Sequence, residues 1–157
     1  MTRIDFYILP ESAGPADSPV ITACRLCEKA VGAGLRIYAH VDDRTTAEGF
    51  DGALWSFRQG GFIAHERYDG QAIEAPLPPV LIGSAEPPDT HHDVLVNLGT
   101  EVPDFFSRFE RVLEIVAGDA AQRAASRTHY KFYRDRGYEL NTFEQSADGG
   151  WTRRSTQ

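Results

Sequence analysis

FFSRFERVLEIVAG, residues 105–118, decides the fold because it reads two ways. Phe105, Phe109, Val112 and Val116 fall at helical spacing, yet RVLEIV alone has the apolar, β-branched character of a strand. The reading adopted is a short helix leading into a strand. Asp119 then caps a long helix, and Gly137 stands just past its end.

Working outward, IDFYIL (residues 4–9) is a short apolar run stopped by Pro10, a buried strand. The loop PESAGPAD follows it. Ser18 and Pro19 form a helix start, and Gly32 and Gly34 close that helix before LRIYAHV (residues 35–41), a second buried strand. Thr45-Thr46-Ala47-Glu48 matches a capping box, and Ala47, Phe50 and Leu54 share one face of the helix it opens, with Trp55 beside them. GFIAH (residues 61–65), VLIG (80–83) and DVLVNLG (93–99) are further strands. Strands alternating with helices predict an α/β fold, a three-layer sandwich around a largely parallel sheet. Residues 1–142 form one domain in this reading, and residues 143–157 a loose polar tail.

Composition sets outer limits. The chain has 157 residues, 41% hydrophobic and 25% charged, as a globular domain should. No run approaches the ~18 apolar residues of a membrane span, and MTRIDFYILPES lacks a secretory pattern, so the expected location is the cytoplasm. Cys24 and Cys27 form a lone C-x-x-C, but with Val20 and Val31 they follow the spacing of a buried helix face and read as core.

Catalytic motifs are missing from the sequence. It contains no G-x-x-x-x-G-K-[ST], no G-x-G-x-x-G after the first strand and no G-x-S-x-G. Gly32-Ala33-Gly34 lies between a helix and a strand, the wrong junction for a cofactor. His40, His65, His91, His92 and His129 lack metal-ligand spacing and read as surface loop residues. No catalytic residue, metal or cofactor is expected.

One feature stands out against a formal net charge of -7. Setting Arg123 at zero and turning 100° per residue, Arg127, Tyr130, Lys131 and Arg134 fall in one stripe about 100° wide. Phe132 falls opposite, with Ala121 and Ala125, as the expected core side. Like charges at i, i+4 destabilise a helix by roughly 0.2–0.5 kcal/mol per pair, and the helix dipole offsets only part of that. The stripe is either a solvated basic face or a site for an anionic partner with an apolar anchor. Residues 121–157 hold seven Lys/Arg against four Asp/Glu, which leaves nine against nineteen elsewhere. A body so acidic opposes a long nucleic-acid track, whereas a short acidic peptide fits the patch, and direct DNA binding is not expected.

The ordered fragments FYIL, ALW, F-I-A-H, DVLVNL, F-x-R-F-E-R-V and R-x-x-Y-K-x-Y-R-x-x-G-Y-x-L-N-T (residues 127–142) resemble the chi family of the bacterial DNA polymerase III holoenzyme. The resemblance implies a non-enzymatic adaptor, similar to nucleotide-binding folds but without their phosphate loop. It implies two partners: the psi subunit of the clamp loader, and the acidic C-terminal tail of single-stranded-DNA-binding protein, which ends in an apolar residue. The family's tail-binding positions carry over onto Arg123, Arg127 and Tyr130, with Val116 as an apolar neighbour. Lys131 and Arg134 match the same motif and share the stripe. Where the family commonly has Lys, this chain has Arg123, which keeps the charge and changes the hydrogen-bond geometry. For psi, the large aromatics Trp55, Phe57 and Phe62 flank R-Q-G-G; they read either as an exposed anchor or, for Trp55 and Phe62, as a cap on the core, and the resemblance favours the anchor. The rival readings are an enzyme with an unrecognised site and a direct nucleic-acid binder.

Overall fold

Apolar runs bounded by turn residues become the strands of one sheet. The computed structural model describes residues 1–11, 18–58, 62–146 and 148–154. In chain order these form β1 (Arg3–Ile8), α1 (Pro19–Gly32), β2 (Ile37–His40), α2 (Arg44–Ser56), β3 (His65–Arg67), β4 (Val80–Gly83), β5 (Val94–Asn97), β6 (Arg111–Val116), α3 (Ala120–Asp135), β7 (Glu139–Gln145) and β8 (Trp151–Arg154). The sheet runs β3-β4-β2-β5-β6-β1-β7-β8, and every pairing is parallel except β7 with β8.

The ambiguous stretch resolves as expected, with a short 3-10 turn at Phe106–Arg108 and then β6. β6 lies between β5 and β1, parallel to both. A strand in that position is covered on both faces, which explains its near-continuous apolar run. Strand alternation then divides the core. Ile4, Phe6, Tyr38, Leu81, Leu95 and Val112 face the layer containing α3, while Tyr7, Ile37, Ala39, Val94 and Leu113 face α1 and α2. Helices on both faces make this the α/β sandwich that the alternation predicted.

Local signals explain the element ends. The Ser18 side chain accepts the Ile21 N–H, with Pro19 in the first turn of α1. Cys24 and Cys27 are free thiols in the core, and burial raises the thiol pKa of Cys24 to about 12. Asp119 and Gln122 form a reciprocal capping box on α3, and Gly137 follows its C-cap with φ 79°, a backbone conformation that suits glycine.

Several expectations about the elements need correction. The N-cap of α2 is Asp43, whose carboxylate accepts the Thr46 N–H, so the cap lies ahead of the Thr45 box. β3 is displaced to His65–Arg67; Gly61 and most of the PESAGPAD loop lie outside the described residues. His40, His91 and His129 are buried rather than surface loop residues, and the His91 ring lies between Thr90 Oγ1 and the Pro78 carbonyl at 2.8 and 2.7 Å.

The last correction concerns residues 143–154, expected to be loose. The boundary after residue 142 falls inside β7, and β8 returns antiparallel to it. Phe143 stacks on Tyr7 at 5.0 Å, and Trp151 meets the same ring edge-on at 5.2 Å. Two aromatics in a polar segment thus supply the apolar burial that holds the hairpin on the sheet.

Candidate functional site

α3 presents the cations, and one buried acid fixes its orientation. Glu114 sits on β6 and is nearly inaccessible to solvent. Its Oε2 accepts from the Tyr133 hydroxyl at 2.7 Å and from Asn97 Nδ2 at 2.9 Å, and its Oε1 lies 3.0 Å from His129 Nδ1. His129 Nε2 lies 2.9 Å from the Thr100 carbonyl oxygen. Both ring nitrogens therefore face acceptors, the arrangement of an imidazolium. Burial alone would lower the His129 pKa, but the Glu114 hydrogen bond and charge, with the Thr100 carbonyl, raise it overall. Burial, then the Glu114 charge, keeps Tyr133 protonated far above the ordinary phenol range.

These contacts overturn the expected inner face of α3. Ala121 and Ala125 are exposed and Phe132 is half-buried, whereas His129 and Tyr133 are buried. At 100° per residue the buried pair lies about 80–120° to one side of Arg123, not opposite the stripe. The expected core side rested on Phe132 and two alanines, but a buried carboxylate on β6 draws His129 and Tyr133 inward instead. The cationic stripe consequently borders the sheet instead of pointing away from it.

That tilt creates a groove of about 710 Å³ between α3 and the sheet. All six residues expected at the tail site, Arg123, Arg127, Tyr130, Lys131, Arg134 and Val116, line it. Phe6 and Ile8 of β1 add apolar surface, and the Tyr130 ring meets Phe6 edge-on at 5.2 Å. Arg123 is tethered: its Nη2 donates to the Leu9 carbonyl at 2.9 Å and its Nε to the Gly118 carbonyl at 3.1 Å. Arg127 and Lys131 are exposed, and Arg134 is exposed beside Asp135. An apolar wall below a row of cations can hold an anion that carries a hydrophobic group. Sequence reasoning missed Arg154, which also lines the groove, because its segment was read as a loose tail; Thr142 lines it too, placed there by strand pairing that the sequence does not show.

The second patch lies on α2 and the segment leading to β3. Trp55 and Phe62 are 59% and 63% exposed, with ring centroids 4.9 Å apart. Phe57 is not brought to them; it is half-buried and packs against the α1/α2 core. Trp55 also meets the His65 ring at 5.3 Å. The intervening residues 59–61 lie outside the described residues.

A further cavity of about 690 Å³ opens near the carboxyl ends of β2 and β4, where open α/β sheets bind ligands. Asp43, Arg44, Arg67 and Asp69 line it. Among the described residues no group of His, Cys, Asp and Glu could hold a metal ion, and no helix is long and apolar enough to cross a membrane.

The chain matches the family model described as DNA polymerase III chi subunit, HolC, over residues 1–141. It is 45% identical over 140 residues to DNA polymerase III subunit chi of Pseudomonas aeruginosa, covering 89% of this chain and 94% of the relative. The chi subunit of Haemophilus influenzae is 28% identical, covering 87% and 93%, and that of Escherichia coli K12 is 26% identical, covering 90% and 97%. A sheet whose central strands, cationic α3 and exposed Trp55 all fall within the matched residues thus has one family assignment: the chain belongs to the DNA polymerase III chi subunit family.

Proposed function

We propose that the chain is a non-catalytic adaptor in DNA replication. Its α3 groove binds the acidic C-terminal tail of single-stranded-DNA-binding protein, and its Trp55–Phe62 patch binds the psi subunit of the clamp loader. In this role it links the clamp loader to coated single-stranded DNA in the cytoplasm. The observation that carries the reading is the convergence of Arg123, Arg127, Tyr130, Lys131, Arg134 and Val116 on one groove that is both cationic and apolar. The guanidinium groups suit the tail's carboxylates, while Tyr130, Phe6 and Val116 suit its terminal apolar side chain.

The Trp55–Phe62 pair supports the second surface, because two adjacent exposed aromatics form the kind of anchor that dominates protein interfaces. Phe57 contributes by backing the helix end from the core side. No cofactor or metal enters this role, and the acidic remainder of the chain disfavours a direct DNA track.

The two surfaces are separable by mutation. Trp55→Ala should weaken psi binding by about tenfold or more, as loss of a central aromatic anchor does. Tail binding should be unchanged, since Trp55 does not line the α3 groove. Co-purification with psi and titration with a synthetic tail read the two activities separately. A folded Trp55→Ala protein that binds psi normally would remove the patch from the proposal. Loss of tail binding in the same variant would show that the surfaces are not independent.

A further inference from the structure

The β7–β8 hairpin extends past residue 141, where the family match ends. Its pairing register aligns Phe6 of β1 with Thr142 of β7, and Thr142 with Arg154 of β8. Phe6 belongs to the core layer beneath α3, and side chains aligned across neighbouring strands share a face. Arg154 therefore rises on the α3 side of the sheet and lines the same groove as Arg127 and Tyr130. Its neighbour Arg153 points to the other face, where its guanidinium donates to Asn141 Oδ1. Only one of two adjacent arginines is thus available to the groove.

We propose that β8 is the second wall of the tail groove, and that Arg154 holds an acidic side chain of the bound tail from the side opposite α3. This inference rests on the proposed tail-binding function. An extended peptide directs successive side chains to opposite sides. Lying between the two walls, it would offer alternate carboxylates to α3 and to β8. A single cationic helix can satisfy only one of those two sets. Thr142, between Phe6 and Arg154, supplies a hydroxyl to the floor.

The groove also carries acids that oppose the ligand. Glu11 lines it, and Glu144 forms an ion pair with Arg154. Glu144 therefore competes with the tail's carboxylates for Arg154. Residues 142 and 144 lie two apart on β7 and share the α3 face.

The test is calorimetric titration of the full chain and its variants with a synthetic peptide of acidic residues ending in an apolar residue with a free carboxylate. Arg154→Ala should weaken binding roughly two- to fivefold, the range of an exposed ion pair. Glu144→Gln should strengthen it by a similar factor, because it releases Arg154 and removes a repelling charge. Arg153→Ala, with folding verified by circular dichroism, should bind as the wild type does. The proposal is overturned if Arg154→Ala binds like the wild type, or if Arg153→Ala loses as much affinity as Arg154→Ala. A wild-type protein that fails to bind the peptide overturns the underlying tail-binding function instead.

Discussion

Glu114→Ala should lower the free energy of unfolding by about 3–5 kcal/mol, the usual consequence of removing one partner from a buried ion pair. The carboxylate is the common acceptor for Tyr133, Asn97 and His129. Asn97 keeps a second acceptor in the Glu101 carbonyl, but the Tyr133 hydroxyl and one nitrogen of the His129 ring lose theirs. Urea denaturation measures the change. A loss below about 1 kcal/mol would mean that the network is dispensable, since ordinary hydrogen bonds contribute about that much.

The same network gives stability a pH dependence with a definite sign. The folded-state pKa of His129 is raised above the ordinary value of 6.5. Its contribution is therefore fully present below 6.5 and is lost as pH rises through the folded value. His40 and His91 are shifted down by burial, so their contributions are present above 6.5 and fall away as pH drops toward their folded values. His129→Gln should remove the alkaline loss and leave the opposite trend. Urea midpoints for both proteins from pH 5 to pH 9, on the order of the range spanned by histidine titration, distinguish them. An unchanged alkaline slope in the variant would contradict the imidazolium assignment.

Arg127→Ala should weaken tail binding by about 1.5–3 kcal/mol, or roughly tenfold to more than a hundredfold, while leaving stability nearly unchanged. Arg127 is exposed and lies midway along the cationic row, so its loss leaves no buried group without a partner. Arg127→Lys should recover part of the affinity, because charge remains but bidentate hydrogen bonding does not. Lys131 and Arg134 are also exposed, and each should contribute less, within about 0.2–1 kcal/mol. Arg123 differs because backbone carbonyls hold it: substitution there removes a groove cation and also the link from α3 to Leu9. If Arg127→Ala binds the peptide as tightly as the wild type, the row is solvated surface charge.

Much of the fold was legible because its signals are local. The Ser18-Pro19 helix start, the Asp119 cap and the Gly137 stop each act over a few residues, and each appears in place. The short turn before β6 was readable because RVLEIV is too short and too β-branched to continue a helix. The α3 residues of the candidate site were legible as a stripe, since helical periodicity needs no tertiary information, whereas Val116 on β6 entered only through the family resemblance.

What escaped depends on contacts distant in sequence. The orientation of α3 is set by Glu114, an acid inside an apolar strand, and such a residue must find partners. His129 and Tyr133, four apart on α3, were a readable complement to it, but His129 was read as a surface residue and Tyr133 was assigned to neither face. The β7–β8 hairpin depends on Tyr7, more than a hundred residues earlier, receiving Phe143 and Trp151. Without that aromatic cluster in view, residues 143–154 looked merely polar, and Arg154 was lost from the site with them.

The most direct test of the adaptor function is calorimetric titration of the wild-type chain with the acidic tail of single-stranded-DNA-binding protein, beside a control peptide lacking the last apolar residue. The groove, cationic above and apolar below, predicts binding in the micromolar range, on the order of 8 kcal/mol, that weakens with salt and is lost with the control. Folded protein that binds neither peptide at low salt, or binds both equally, would contradict it.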